Sequence, residues 1–462
     1  MRKLAAILAL LATGCTTLEP AYVRPDPAVP ASWPAGDPYL RQSEATLPAL
    51  TYQQVFQDQR LQTLIAQALV NNRDLMVAAS NIAAAREQYR IQRANQFPEV
   101  NAAGSANVTT RDSGSGLDVT YAAGVQVPSF ELDLFGRVRS QSHAALNRYL
   151  ATEAGARATR LTLVADIATA WLTYASDASL LRIAQDTETI GDKVVRLTRL
   201  RLEGGIAPRT DLRQAEQILA AARADLADQR TALAQDANLL QLLVGAPIDT
   251  SLLPKSIEEA AGTVATVSPG TDSYVLLRRP DVVEAEYQLR AANADIGAAR
   301  AALFPRISLN TLLGFAGSSL GALFSSFGVS GGADATYTIF NAGAGRANVR
   351  LTEAQRAAAI ATYQKAIQTA FREVSDALAR RGTIEDELSA RQRQQAAAAD
   401  VYLLTEARYK NGIDSFLNSL DAQRSYYSAQ QIMVQAKLTA AQNRVDLYQS
   451  LGGDSLLEPP PA

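Results

Sequence analysis

The side chains that most often carry catalytic or metal chemistry are nearly absent from this sequence. Its 462 residues include a single histidine, His143, and a single cysteine, Cys15. No second metal ligand or nucleophile lies within helical reach of His143, so a structural role is favoured for it. One cysteine cannot form an internal disulfide, and the usual zinc and thiol sites need more partners than the sequence offers. The sequence therefore predicts no catalytic residue, no metal site and no bound cofactor.

Cys15 does lie in a setting that predicts covalent modification. Basic residues at positions 2 and 3 and an apolar run at Leu4–Ala12 precede it, which is the layout of a secretory signal. The residues directly before Cys15 are small, as in the bacterial lipobox, and the absence of aspartate at Thr16 resembles lipoproteins forwarded to the outer membrane. We predict a signal peptide at 1–14 and a lipid on Cys15. An ordinary signal peptide with a chance cysteine is the alternative.

Charge and composition exclude several classes of partner. The 44 basic and 46 acidic residues leave a formal net charge of -2, which gives no electrostatic footprint for nucleic acid. Apolar residues make up 47% of the chain but aromatic residues only 6%, a balance that suits closely spaced helices. No stretch after the signal reaches the roughly 18 apolar residues of a membrane-spanning helix. The chain also lacks a phosphate-binding GxxxxGKS/T loop, so it has no obvious energy source of its own.

The main part of the chain contains two repeats of one sequence pattern. Residues 15–50 are rich in proline and predict an extended leash, and 456–462 predict a disordered tail. Between them, landmarks recur at a constant spacing of 207 residues, which indicates one supersecondary design in duplicate, at 51–255 and 256–455. The recurring landmarks are Phe97-Pro98 and Phe304-Pro305, Gly205-Ile206 and Gly412-Ile413, Val244-Gly245 and Leu451-Gly452, and Asp74-Leu75 and Asp281-Val282.

Each repeat predicts the same order of elements. A helix of moderate length ends at the Phe-Pro dipeptide, and two strands with period-two alternation follow. A proline-free helix of about 65 residues, near 100 Å long, comes next. A return helix with a heptad seam closes the repeat. The predicted helices cover about 73–96, 137–203 and 208–244 in the first repeat and 280–303, 346–410 and 415–451 in the second.

Tight turns join each long helix to its return helix. Gly204-Gly205 and Asn411-Gly412 supply the left-handed backbone that ends a helix, while Pro208 and Asp414 suit the start of the next one. Alanine alternates with larger residues along the heptad seams, so neighbouring helices can approach closely. The sequence therefore predicts two antiparallel helical hairpins per chain.

The four predicted strands are long enough to cross a membrane at a tilt. They run at about 100–109, 119–127, 307–315 and 327–339, each with an apolar face and a small or polar face. A soluble sandwich is the alternative, because alternation alone does not distinguish lipid from a protein core. Four strands cannot close a barrel, and an open edge in lipid leaves backbone groups unpaired. Three chains give twelve strands, the smaller symmetric option that leaves a lumen, so the pattern favours a homotrimer.

Several motifs resemble one known family over essentially the whole mature chain. They are FELDLFGRVR at 130–139, RPDV at 279–282, AALFPRI at 301–307, IFNAG at 339–343 and LDAQR at 420–424. The sequence is similar to the TolC-like outer-membrane factors, and among them to the NodT-type efflux lipoproteins. The resemblance implies a mixed α+β membrane protein, mostly α, whose trimer forms a twelve-stranded β-barrel continuous with an α-helical barrel. It also implies a periplasmic membrane-fusion adaptor and an inner-membrane transporter of the RND type as partners.

The resemblance also implies site residues. In the family, inward-coiled hairpins close the periplasmic end of the tube, and Leu417 and Asp421 match its constriction near the start of the last helix. Three copies of Asp421 would form a carboxylate ring that favours cations, whereas the alternative is that Asp421 only complements its helix dipole. Arg408 is assigned to the gate as a residue that pairs across the hairpin in the closed state, with a solvated arginine as the alternative. The hairpin tips, at 204–210 and 411–415, are assigned to contact with the adaptor.

These expectations combine into an exit duct of a tripartite efflux system, anchored by lipid in the outer membrane and extending into the periplasm. Its expected cargo is drugs or other small toxic compounds, and their identity stays open because a wide wet pore discriminates little. The alternatives are a type I protein secretion channel, a periplasmic coiled-coil lipoprotein without a pore, and a secreted hydrolase. The strand pairs argue against the pore-free scaffold, and the scarcity of catalytic side chains argues against the hydrolase.

Overall fold

The structure describes most of the chain. The computed structural model describes residues 17–30, 32–33, 51–110, 117–267 and 273–453. Cys15, the predicted signal peptide at 1–14, most of the predicted leash and the predicted tail at 456–462 lie outside the described residues. Among the described helices, none combines the length and the apolar character needed to cross a membrane.

Helices make up most of the described chain, with one four-stranded sheet, which confirms the predicted mixed and mainly helical fold class. The first repeat contains α1 (Tyr52–Val55), α2 (Gln59–Asn71), α3 (Arg73–Ala94), β1 (Asn101–Thr110), β2 (Leu117–Leu132), α4 (Arg137–Glu203) and α5 (Arg209–Val244). The second contains α6 (Ile257–Ala261), α7 (Pro280–Ala301), β3 (Arg306–Gly317), β4 (Phe327–Thr336), α8 (Ala344–Lys410) and α9 (Phe416–Ser450). Short 3-10 turns cover Thr250–Leu252, Ser273–Arg278 and Leu320–Ser325.

The backbone repeats at the spacing found in the sequence. Helices α3 and α7, and likewise α4 and α8, begin and end at positions 207 residues apart. Glycines at the same spacing adopt a left-handed backbone, with φ from 71° to 92°. These pairs are Gly136 and Gly343, Gly205 and Gly412, and Gly245 and Gly452. Because glycine has no Cβ, it enters this conformation without steric strain, so the same three breaks recur in each repeat.

The sheet is an antiparallel meander in the order β1-β2-β3-β4. Strands β2 and β3 join the two repeats, and their pairing shifts register between Val127 and Phe130. The sequence predicts that β2 ends near Val127, ahead of Pro128, which has no N–H to donate. The register shift is a β-bulge that accommodates Pro128, so the strand continues to Leu132. Strand β4 ends at Thr336, earlier than its alternating pattern predicts.

The two outer strands present free edges. Within the described residues, β1 pairs only with β2, and β4 pairs only with β3. Each outer strand therefore carries a row of backbone N–H and C=O groups without a partner strand.

The chain divides into two compact units, which are described separately. Among the described residues, the first comprises 17–27, 80–110, 117–154 and 283–366, and includes the whole sheet. The second comprises 28–30, 32–33, 51–79, 155–267, 273–282 and 367–453, and includes both hairpin tips.

In the first unit, the N-terminal segment at 17–27 is held by side-chain contacts. The Glu286 side chain is 6% exposed, and its carboxylate oxygens lie 2.7 Å from Arg24 Nη2 and 2.7 Å from Arg290 Nη2. Asn293 Nδ2 donates a hydrogen bond of 2.7 Å to the backbone carbonyl of Pro20. This part of the predicted leash is therefore fixed along the body of the protein.

His143 contributes to the same attachment. Its Nδ1 lies 3.2 Å from Glu19 Oε2, and the hydroxyls of Thr17 and Ser140 are 3.2 Å apart. Both contacts join the N-terminal segment to the first turns of α4. The structural role expected for His143 therefore has a specific partner.

In the second unit, two carboxyl groups face each other between α4 and α5. Burial and the neighbouring charge of Asp177 raise the pKa of Asp236 to about 7, and burial raises the pKa of Asp177 as well. Asp236 Oδ2 is buried and has no hydrogen-bond partner among the described residues. The pair therefore favours a shared proton. At the equivalent position of the second repeat, Asn443 donates 2.9 Å to the carbonyl of Ala377.

We predict that Asp236→Asn stabilises the protein at alkaline pH. When the pKa of a carboxyl is higher in the folded than in the unfolded state, the folded protein loses stability as the pH rises from the ordinary pKa, here 3.8, to the folded-state pKa of about 7. The neutral amide removes this loss. In thermal unfolding followed by circular dichroism in detergent, the variant should melt a few degrees above the parent at pH 8, with a smaller difference at pH 5. Asp228→Asn, an exposed acid on the same helix, is the control. Equal pH dependence of Asp236→Asn and the parent would contradict the shared-proton interpretation.

Candidate functional site

The turns at the two hairpin tips share one capping geometry. Gly205 and Gly412 take the left-handed conformation, with φ of 71° and 75°. The next residue in each turn donates back to the helix, Ile206 N–H to Arg201 O at 2.8 Å and Ile413 N–H to Arg408 O at 2.9 Å. This pattern satisfies carbonyls at the helix end that would otherwise lack partners. Each tip therefore ends its long helix abruptly.

The tips expose both backbone and apolar side chains. The residues assigned to adaptor contact are mostly exposed, and Asp414 is half-buried. Those residues are Gly204, Gly205, Pro208, Asn411, Gly412 and Asp414. Each tip also projects an isoleucine, with Ile206 78% and Ile413 64% exposed. An apolar side chain exposed at the same place in both repeats is a suitable anchor for a partner surface.

Behind the turns, the two hairpins pack together through an apolar cluster. The buried members come from all four helices, α4, α5, α8 and α9, and the rings of Tyr409 and Phe416 lie 5.3 Å apart. The cluster consists of Val195, Leu212, Ala215, Leu219, Tyr409, Phe416 and Leu420. The ends of the two hairpins are thereby packed into one body.

Arg201 of the first hairpin caps the end of α8 in the second. Its guanidinium lies 4.5 Å from the centre of the Tyr409 ring, and its Nη2 donates 3.0 Å to the carbonyl of Lys410. A cation near the C-terminal carbonyls also complements the helix dipole. The sequence interpretation missed this contact. One feature of the sequence pointed to a role for Arg201 at the tip: it lies 207 residues before Arg408, at the same position of its repeat.

Arg408 instead pairs within its own hairpin. Its Nε lies 2.6 Å from Asp414 Oδ2, and this hydrogen bond and charge raise the pKa of Arg408 above its ordinary value. Ala207 stands at the position of Asp414 in the first repeat, so Arg201 has no equivalent acid. The one acidic residue explains why the two arginines point to different partners.

Leu417 and Asp421 share one exposed face of α9. They lie one helical turn apart, and the Leu417 side chain is 61% exposed. Both line a groove of about 420 Å³ between α5 and α9. The structure brings these two residues together, but it pairs Arg408 with Asp414 and not with Asp421. In the first repeat their positions hold Thr210 and Gln214, so only the second repeat carries an acid there.

A tyrosine and a carboxylate line the same groove. The Tyr427 hydroxyl donates to Asp225 Oδ2 at 3.4 Å, linking α9 to α5. Burial, followed by the charge of Asp225, raises the pKa of Tyr427 to about 12. This hydroxyl therefore stays protonated and joins the two helices at neutral pH. Over the part of the chain that the structure describes, no group of three or more His, Cys, Asp or Glu side chains is placed to hold a metal ion.

The sequence profile of outer membrane efflux proteins matches residues 64–246 and 273–453, one match in each repeat. The chain belongs to the outer membrane efflux protein family. Its location in the outer membrane and its function in efflux, both predicted from the sequence, are thereby confirmed. This membership argues against the pore-free scaffold and against the secreted hydrolase.

Relatives extend over nearly the whole chain. The antibiotic efflux pump outer membrane protein ArpC of Pseudomonas putida is 42% identical, over 97% of this chain and 94% of its own length. The toluene efflux pump outer membrane protein TtgC, also of Pseudomonas putida, has the same identity and coverage. Among solved structures, the open state of the MtrE outer membrane channel of Neisseria gonorrhoeae is 34% identical, with a TM-score of 0.85 over 95% of this chain and 98% of that one.

We predict that Arg201→Ala loosens the end of α8. The substitution removes the cap on the Lys410 carbonyl and the cation over Tyr409, which together are worth on the order of 1 kcal/mol. Hydrogen exchange at the amides of the last turn of α8 should become about five-fold faster. Arg213→Ala removes an exposed arginine paired with Glu216 on α5 and should leave that exchange unchanged. Unchanged exchange in Arg201→Ala would show that the cap contributes nothing to the tip.

Proposed function

We propose that three copies of this chain form a passive exit duct, the outer-membrane channel of a tripartite efflux system. The observation that carries the proposal is the four-stranded sheet with two free edges, in a chain of the outer membrane efflux family. A strand edge left open in hydrocarbon is costly, so identical neighbours complete the wall. Two copies would give a barrel filled by side chains, and three give a twelve-stranded barrel with a lumen.

The energy for export comes from partners. An inner-membrane transporter of the RND type would deliver cargo through a periplasmic adaptor, and the duct itself has neither catalytic activity nor a cofactor. We assign adaptor contact to the two hairpin tips, where Ile206 and Ile413 are exposed beside left-handed glycines. A lipid on Cys15 would anchor the chain, and the fixed segment at 17–27 would hold that anchor against the first turns of α4.

The cargo class is small toxic compounds. Relatives of equal identity are named for antibiotic efflux and for toluene efflux, so this part of the pump accommodates chemically different cargo. A wide wet pore has few groups with which to discriminate, and selection belongs to the inner-membrane transporter.

We assign the gate to Leu417 and Asp421. Both side chains are exposed on one face of α9 within two turns of the hairpin tip, which leaves them free to meet their symmetry copies. Three carboxylates around one axis attract cations and repel one another. The Arg408–Asp414 pair would keep the tip turn fixed in the closed state.

The proposed function is tested by deletion and by conductance. Deleting the gene should raise sensitivity to at least one toxic compound in a broad panel, and a plasmid copy should restore resistance. The purified protein should form ion-conducting channels in a planar bilayer and have the mass of a trimer in detergent. A monomer without conductance would overturn the proposal.

We predict that Asp421→Ala raises single-channel conductance, and that Asp421→Ala and Asp421→Asn both reduce preference for cations. Each removes a carboxylate from the proposed ring, and the alanine also widens it. Asp211→Asn, an acid in the first turn of α5, is the matched control and should leave the trace unchanged. If Asp421→Ala leaves conductance unchanged, the carboxylate only complements the dipole of α9.

A further inference from the structure

We infer that the 3-10 turn between β3 and β4, the outer turn (Leu320–Ser325), folds onto the lipid-facing side of the sheet and contacts acyl chains of the outer leaflet through Leu320 and Phe324. This inference rests on the proposed channel. It adds a lipid-contact surface at the end of the sheet that lies farthest from the helices.

The two faces of the sheet differ in chemistry. Odd-numbered positions of β3 and β4 form a mainly apolar face, on which Leu313 is 44% and Val329 69% exposed. Even-numbered positions carry most of the polar groups, and there Asn310 Nδ2 donates a hydrogen bond of 2.8 Å to Asp334 Oδ2. In a barrel that spans a membrane, the apolar face contacts lipid and the polar face lines the lumen. The odd-numbered face is therefore the lipid side of the proposed channel.

The outer turn packs on this lipid side. Gly317 belongs to the odd-numbered positions, and a Cβ there would lie 2.6 Å from the carbonyl carbon of Ala322, so the missing side chain makes room for the turn. The rings of Phe315 and Phe327 pair across the strands on the same face, with centres 5.2 Å apart. Phe324 of the turn meets Phe315 edge to face at 5.4 Å. The turn therefore lies outside the wall and leaves the lumen clear.

Several polar groups of the outer turn and its flanks are hydrogen-bonded within this segment. The Ser319 hydroxyl accepts a hydrogen bond of 3.3 Å from the Ala322 N–H, and the Ser325 hydroxyl donates 2.6 Å to the Ala322 carbonyl. The Ala316 N–H donates 3.2 Å to the Ser326 carbonyl. Polar groups that are already paired cost less to move into apolar surroundings. The turn is thus built to tolerate contact with hydrocarbon.

The side chains that the outer turn presents fit acyl chains better than headgroups. Leu320 is 69% and Phe324 71% exposed in the single chain. From Ile307 to Ala333 the sequence contains no charged residue and neither tryptophan nor tyrosine. Lipid phosphates attract lysine and arginine, and tryptophan and tyrosine prefer the headgroup level. Burial of the two apolar side chains among acyl chains is favourable, so we assign them to the hydrocarbon of the outer leaflet.

The first repeat has no equivalent of this surface in its sequence. Its loop between β1 and β2 carries the charged residues Arg111, Asp112 and Asp118. The positions that correspond to Phe315, Phe324 and Phe327 hold Val108, Leu117 and Thr120. The aromatic cluster is therefore not a requirement of the duplicated strand pair, and it is specific to the second loop.

Spin labelling of the full chain in phosphatidylcholine liposomes tests the inference. A nitroxide is attached to Leu320→Cys, and its access to oxygen, which dissolves in hydrocarbon, is compared with its access to a water-soluble nickel chelate. Leu313→Cys, on the lipid side of β3, and Ser330→Cys, on the polar face of β4, are the two references. The parent is labelled in parallel, and any signal from Cys15, its only cysteine, is subtracted.

The ratio of oxygen access to nickel access at Leu320 should match that at Leu313 and exceed that at Ser330 several-fold. Adding Phe324→Ala to Leu320→Cys removes the edge-to-face contact with Phe315, so nickel access at the label should rise. Adding Val329→Ala, which truncates an exposed side chain of the same face, should leave that access unchanged.

The outcomes separate the inference from the proposed function. A label at Leu320 that behaves like the one at Ser330, while Leu313 remains in lipid, would place the turn in water and leave the channel proposal standing. Exclusion of both reagents from Leu320 would show that protein covers the turn, which also overturns the lipid contact. If nickel reaches Leu313 as readily as Ser330, the sheet has no lipid side and the channel proposal itself fails. Unchanged nickel access in the Phe324→Ala variant would overturn the role of the aromatic cluster in holding the turn.

Discussion

Unpaired backbone groups along the outer edges of β1 and β4 are the constraint on which the proposed assembly depends. In hydrocarbon each unsatisfied backbone N–H or C=O costs several kilocalories per mole. A β-strand, unlike a helix, cannot pair these groups within itself. The described residues contribute four strands to the proposed wall. Identical neighbours would supply the missing partner strands.

The helical part of the fold was predictable because local signals end its helices. Glycines 207 residues apart stop the long helices, and the sequence alone places α4 at Arg137–Glu203, as found. The strand ends were less predictable. Pro128 argues for an early end of β2, but β3 pairs on both sides of a bulge and carries the strand onward. Helix α2 was missed, although Asp58 caps its start and accepts a hydrogen bond from the Arg60 N–H.

The relative placement of site residues was predictable where they lie on one face of one helix. Leu417 and Asp421 were assigned to the gate from the family resemblance, and helical spacing alone puts them on one face of α9. Contacts between distant segments were not predictable. Arg201 meets Tyr409 where the ends of α4 and α8 lie side by side. Asp177 meets Asp236 where α4 and α5 run antiparallel, and no local pattern encodes either alignment. The equivalence of Arg201 and Arg408 pointed to an arginine at both tips, but the partner is decided by Asp414 in one repeat and Ala207 in the other.

The divergence of the repeats has an electrostatic consequence at the proposed gate. Gln214 occupies the position in the first repeat that Asp421 occupies in the second. Around a ring of three copies, neutral amides would therefore alternate with carboxylates. A strictly symmetric duplicate would double the number of acids and bring each closer to its neighbours, so that protons or counterions would have to neutralise many of them. In the proposed trimer, Gln214 therefore limits the ring to three acids, where a strictly symmetric duplicate would hold six.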